Sequence, residues 1–232
     1  MPGDIRRREE QVSVLQSQLE SKLLPGMTLP PEFAALYRWI ESKGMYVEND
    51  GGRIGFLFPE DQLNDGWTDT ERPGGTTVEF GAAGNANVHY WFGHRRPEVL
   101  NRVCVFARTG AEGSEAAFWI DDKGKQRIVH MGSGSGSVLC CVLADSAIDF
   151  LRLIAIGYDE ICWNSEFAYP PNSSELDSEI LVHPNEDYQR WLVESFDVSI
   201  PQTALEIVKH PAEMGDTDTS DEFCLWVNAN TS

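Results

Sequence analysis

Between residues 53 and 142 the chain repeats short aromatic and β-branched runs, each closed by Gly, Pro, Asn or Asp, with no clear helical crossover between them. No other feature limits the fold as much, because parallel strands need long, usually helical connections and antiparallel strands do not. Residues 53–58, 88–92, 103–107, 117–121 and 128–131 read as strands. Asp122-Lys123-Gly124-Lys125 suits a hairpin turn between the last two. Residues 137–144 form a further apolar strand, and 64–84 a polar, Gly-rich loop with Trp67 as its one large anchor. These runs predict an α+β protein with one mixed or mostly antiparallel sheet.

Helical periodicity flanks this centre. In 4–24, Ile5, Val12, Leu15, Leu19 and Leu23 keep to one stripe until Pro25-Gly26. A second helix follows Leu29-Pro30-Pro31, with Phe33, Leu36, Tyr37 and Ile40 inward and Gly44 at its end. After the last strand, Asp145-Ser146 with Asp149 matches a capping box, and Ile148, Leu151, Ile154 and Ala155 form a buried stripe up to Gly157. Residues 165–184 read as loop. Residues 185–196 read as an amphipathic helix with Tyr188, Trp191 and Leu192 inward, and 201–210 as a short further helix. An acidic loop at 213–222 then leads into the apolar Phe223-Cys-Leu-Trp-Val227.

Charge is the most unusual bulk property of the 232 residues: 37 acidic against 18 basic, a net −19. Residues 159–232 hold 16 of the acids and only two bases, Arg190 and Lys209. Such a surface repels nucleic acid and anionic lipid and attracts basic proteins, besides aiding solubility. No apolar run approaches the ~20 residues of a membrane helix. The first ten residues carry arginines with no apolar stretch behind them, so no signal peptide is expected, and the five cysteines read as reduced thiols in a cytoplasm.

Motifs that would carry chemistry fail in their details. Gly132-Ser-Gly-Ser-Gly-Ser137 lacks the Gly-Lys-Ser/Thr of a phosphate loop and precedes a strand, so it reads as an inter-strand loop. The five histidines sit in unrelated contexts, and His130, within an apolar strand, reads as a satisfied core histidine. Cys140 and Cys141 are adjacent and point to opposite faces of a strand, so they do not share a metal. The run Asp216, Asp218, Asp221, Glu222 lacks the glycine and terminal Glu of an EF-hand loop and reads as a solvated or partner-facing acidic loop. No metal, cofactor or catalytic residue is expected.

Three segments, in order, carry a resemblance. Leu29-Pro-Pro-Glu-Phe-Ala-Ala-Leu-Tyr-Arg-Trp-Ile40 resembles the opening helix of the SUKH superfamily, the Smi/Knr-type immunity proteins, with Asp50-Gly51-Gly52 in the place of its glycine-containing turn. Phe118-Trp-Ile-Asp121 with its hairpin, and residues 142–158, are similar to later elements of that family, and Tyr188-Gln-Arg-Trp-Leu192 to a helix of some members' extensions. The resemblance spans roughly residues 28–160. It implies helices against a curved, mostly antiparallel sheet, and a cytoplasmic antitoxin that blocks a cognate protein toxin by direct binding. Many such toxins are nucleases or deaminases with basic active surfaces, which meets the independent charge reading. No catalytic residues carry over.

The expected organisation is an N-terminal amphipathic helix at 1–27, a SUKH-like core at 28–160 and an acidic helical extension packed on it at 161–232. Asp216, Asp218, Asp221 and Glu222 are the expected partner-facing charges, with Trp226, Trp163 and Trp67 as anchors. A Knr-like regulatory scaffold or adaptor, and an enzyme of unrecognised type, are the alternatives.

Overall fold

A computed structural model describes residues 12–63, 70–75, 77–176, 178 and 180–231. Ile5 and Trp67 lie outside the described residues.

The centre of the chain folds into a seven-stranded sheet in the order β1-β2-β4-β5-β6-β7-β8. Its strands are β1 (Tyr46–Asn49), β2 (Gly52–Gly55), β4 (Glu79–Gly84), β5 (Val103–Arg108), β6 (Glu115–Ile120), β7 (Gln126–Met131) and β8 (Cys140–Ala144), and every neighbouring pair is antiparallel. β1 and β8 remain edges, so the sheet stays open rather than closing into a barrel. Sequential strands pair because their connections are short, as at the Asp121–Lys125 hairpin, where Lys125 O accepts from Asp121 N at 2.9 Å. The fold is α+β, with a mostly antiparallel sheet.

β5, β6, β7 and β8 are buried almost throughout, so helices cover both faces of this part of the sheet. Neighbouring residues of β6 show the two layers, because side chains alternate across a strand. Phe118 faces α2 (Pro31–Ser42) and α6 (Ala147–Ala155), in a cluster where Phe33 lies 5.3 Å from Phe118, 4.9 Å from Phe106 and 6.0 Å from Phe150. Trp119 faces the opposite way, 5.3 Å from Phe223 and 5.5 Å from Trp226 of α8 (Glu222–Asn230). Arrangements of this kind place aromatic rings at 4.5–7 Å in edge or offset geometry.

α1 (Val14–Glu20) is N-capped by Ser13 and buries Leu15 and Leu19 against β2 and β4. Val12 precedes it and is exposed, so the expected stripe does not include it. Ser146 caps α6 as expected, its Oγ accepting from Asp149 N, but the reciprocal half of the expected box does not form, since the Asp149 carboxylate accepts from Ser146 Oγ and not from the Ser146 amide. α7 (Glu186–Phe196), capped by Asn185, docks on α6 through Tyr188 Oη, which donates to Leu151 O at 3.0 Å, and on α2 through Trp191 stacked on Trp39. A continuous hydrophobic core therefore runs from Leu15 to Val227, and the acidic C-terminal third is part of it.

Several local expectations change. Residues 88–92 are a helix, α4 (Val88–Phe92), not a strand. Val88 and Phe92 are buried four residues apart while Tyr90 between them is 75% exposed, and five residues are too few for periodicity to separate the two readings. Gly93, at φ +74°, ends the helix in a conformation glycine takes without strain. The run at 53–58 leaves the sheet after Gly55, and Phe56 N then donates to Met45 O. The loop at 64–84 contains β3 (Glu71–Pro73) as well as β4, and β3 pairs in parallel with β9 (Leu181–His183) inside the other expected loop. Residues 201–210 form a single 3-10 turn, Ala204–Glu206, and another spans Asn164–Glu166. The apolar end at 223–227 is the body of α8. Two short helices, α3 (Glu60–Leu63) and α5 (Pro97–Leu100), complete the chain order.

Candidate functional site

The best-formed combination of an aromatic wall, converging polar groups and open volume lies where α5, the β6–β7 hairpin and α8 meet. Pro97 starts α5, and the turn after it delivers Arg102 to the end of β6. Arg102 Nε donates to Ile120 O at 2.7 Å and Nη1 to Asp122 Oδ1 at 2.7 Å, which holds the guanidinium across the hairpin. Asp121 builds that hairpin from inside: its Oδ1 accepts from Lys123 N and Lys125 N, both at 2.8 Å. On α8, Glu222, Leu225, Trp226, Ala229 and Asn230 recur at three- and four-residue spacing and so share one face. Together with Glu98, Val99 and Trp119 these groups line a cleft of about 640 Å³, within the range of ligand-binding sites.

Arg102 rests against both indoles, its guanidinium carbon 4.8 Å from the Trp226 ring and 5.8 Å from the Trp119 ring, with the two rings 5.5 Å apart. Among the described residues, two buried donors behind this wall find no acceptor: Trp119 Nε1 and Arg102 Nη2. Trp119 is 1% exposed, and leaving a buried donor unpaired costs about 1–3 kcal/mol. Buried native N–H groups are nearly always paired, so this pair stands out.

Four carboxylates face this cleft, on Glu98, Asp121, Asp122 and Glu222, against two cations, Arg102 and Lys123. Burial pushes the Asp121 carboxyl up, but the Lys125 and Lys123 amides and the Arg127 charge outweigh it and hold it below its ordinary range. Glu222 is held low by the ammonium of Lys123, 2.9 Å away, and by Arg127 at 2.5 Å. Arg127 also lies 3.3 Å from Asp121. Both carboxylates are therefore ionised at neutral pH, and the cleft carries net negative charge.

Of the residues expected to meet a partner, the structure brings Glu222 and Trp226 into this cleft. Asp221 is corrected: it is 3% exposed and acts as the N-cap of α8, its Oδ1 accepting from Cys224 N at 2.8 Å and its Oδ2 from Val142 N at 2.9 Å. Burial, only partly offset by those amides, raises its carboxyl. Asp216 and Asp218 lie in the preceding loop, where Asp216 Oδ1 accepts from Asp218 N, and do not line the cleft. Trp163 lines a separate cleft of about 430 Å³ with Asp159, Glu166 and Asn172, and donates from Nε1 to Glu160 at 2.7 Å. Burial, followed by the charges of Asp159 and Glu160, pushes the Glu166 carboxyl up to about 7.

Arg102, Trp119 and Glu98 were not among the expected contacts. Arg102 carries no motif of its own, and its position depends on pairing between β5 and β6. A signal existed for Trp119: adjacent large aromatics in a strand, Phe118-Trp119, point to opposite faces and require cover on both. His130 is a satisfied core histidine, with Nδ1 2.9 Å from Leu139 O and Nε2 3.0 Å from Thr109 Oγ1. Burial lowers it to about 4, so it is neutral at pH 7. The five cysteines are buried free thiols.

Comparison with protein-family models, curated proteins and solved structures finds no match. The fold defines the class as α+β, an open antiparallel sheet with an aromatic, acid-rimmed cleft on one face. Among the described residues no helix is long and apolar enough to cross a membrane.

Proposed function

We propose that the protein is an immunity-type binding protein, SUKH-like in kind, that neutralises a cognate basic toxin domain, nuclease or similar, by direct contact. The observation that carries this reading is the display of charge. The last third of the chain has 16 acids against two bases, and among its described carboxylates only Asp221 is buried. The remainder stand at the surface of a folded body, where an ordered array of one sign steers an oppositely charged partner and raises its association rate. Recognition chemistry is also present in the cleft, where indoles and an arginine are the residue types that dominate binding energy at interfaces.

The reading predicts a basic toxin domain encoded beside this chain, and the test uses that domain. Co-expression should restore growth, and the two proteins should form a stable complex whose association slows about tenfold or more between low and physiological salt. Glu213→Gln, Asp216→Asn and Asp218→Asn together should slow association at low salt and flatten its salt dependence, with Asp221 retained because it caps α8. Absence of both protection and complex would sink the reading.

A further inference from the structure

We propose that the cleft between α5 and α8 is the anchor pocket for a loop of a partner protein that presents a Lys or Arg side chain beside a free backbone carbonyl. This deepens the reading of the chain as a protein-binding module by naming the chemistry it takes.

The polar groups of the wall define what fits. Trp119 Nε1 and Arg102 Nη2 are donors without acceptors, and neither an indole N–H nor a guanidinium can accept. The group that satisfies them must therefore bring lone pairs. A free anion would supply these, but Glu98, Asp121, Asp122 and Glu222 still outnumber Arg102, Lys123 and the Arg127 that pairs with Asp121 and Glu222, and like charge opposes its entry. A peptide carbonyl brings the lone pairs without the charge. A cationic side chain on the same loop then meets the carboxylates, and its aliphatic stem packs on Leu225 and Trp226. Both donor atoms are shut off from solvent, so an acceptor reaches them only as wall side chains give way, and that movement is measurable at the indoles.

The test follows indole N–H resonances of the intact chain, with Trp119 assigned by its loss in Trp119→Phe. The probes are acetyl-Lys-Ala-Lys-amide, its acidic counterpart acetyl-Glu-Ala-Glu-amide, and acetate. The basic tripeptide should shift the Trp119 resonance saturably, with Kd of about 1 mM or tighter, and the acidic peptide and acetate should leave it in place. Trp119→Phe, which keeps an aromatic ring but removes the N–H donor along with part of the indole's volume, should weaken the tripeptide about two- to tenfold by the fluorescence of the remaining indoles. Ala229→Trp, at an exposed position lining the cleft, should abolish binding even if Trp119→Phe does not fold. Acetate acting as strongly as the basic peptide would overturn the proposal in favour of a simple anion site. A shift at Trp163 in place of Trp119, or full binding by the Ala229→Trp variant, would overturn it by locating the contact elsewhere. A toxin complex formed unchanged by Ala229→Trp would remove this anchor while leaving the proposed function standing. Peptide binding with no toxin complex would do the reverse.

Discussion

Asp221 serves two backbone amides on different elements, one on α8 and one on β8, with a single buried carboxylate. Such a group does more than cap a helix, because it also closes the edge strand onto the helix that forms the cleft floor. Asp221→Ala removes both acceptors and leaves two amides unpaired. The expected cost is about 2–4 kcal/mol, from a lost N-cap and an unpaired buried donor, measured by urea unfolding. Asp221→Asn keeps one acceptor and should cost less than half as much. Equal losses for the two variants would show that charge, not hydrogen bonding, is what Asp221 provides. The carboxylates at this scale thus divide by role: Asp121 and Asp221 build backbone, Glu222 pairs with cations, and Asp218 meets solvent.

At the scale of elements, the junction after α6 is closely packed. Gly157 ends the helix at φ +92°, and a Cβ there would lie 2.7 Å from Pro184 Cβ, just ahead of the Asn185 cap of α7. Gly157→Ala therefore meets both backbone strain and a clash. The prediction is a loss of more than about 1 kcal/mol, with hydrogen exchange rising first in α7 and in β9, which pairs with β3 beside it. An alanine tolerated without change in either measure would mean that the 157–184 contact is dispensable. Element existence was largely legible in the chain: α2, α6, α7 and β5 to β8 follow from periodicity, caps and turn residues. Val88–Phe92 was not, since a five-residue aromatic run satisfies strand and helix alike until burial at 88 and 92 decides. β9 was not, since three residues carry no periodicity and are held by a parallel partner more than a hundred residues away.

For the whole molecule, a net −19 sets two opposite salt effects. Self-repulsion within the folded body is relieved by screening, so the urea midpoint should rise as salt increases through about 0.5 M. Association with a basic partner should slow over the same range. A midpoint indifferent to salt would mean that the surface charges are already balanced locally by ion pairs such as Arg53 with Glu41 and Glu48. The sequence alone determined the class of fold, the acidic balance and the helix ends at Ser146, Gly44 and Gly157, because these depend on residue type and on neighbours within a turn or two. Only tertiary structure decided which carboxylates are buried, that both faces of the sheet are covered, and that Arg102, Trp119 and Trp226 share one wall. Those facts arise from contacts between segments that lie from about twenty to more than a hundred residues apart, where no local spacing records which side chains meet.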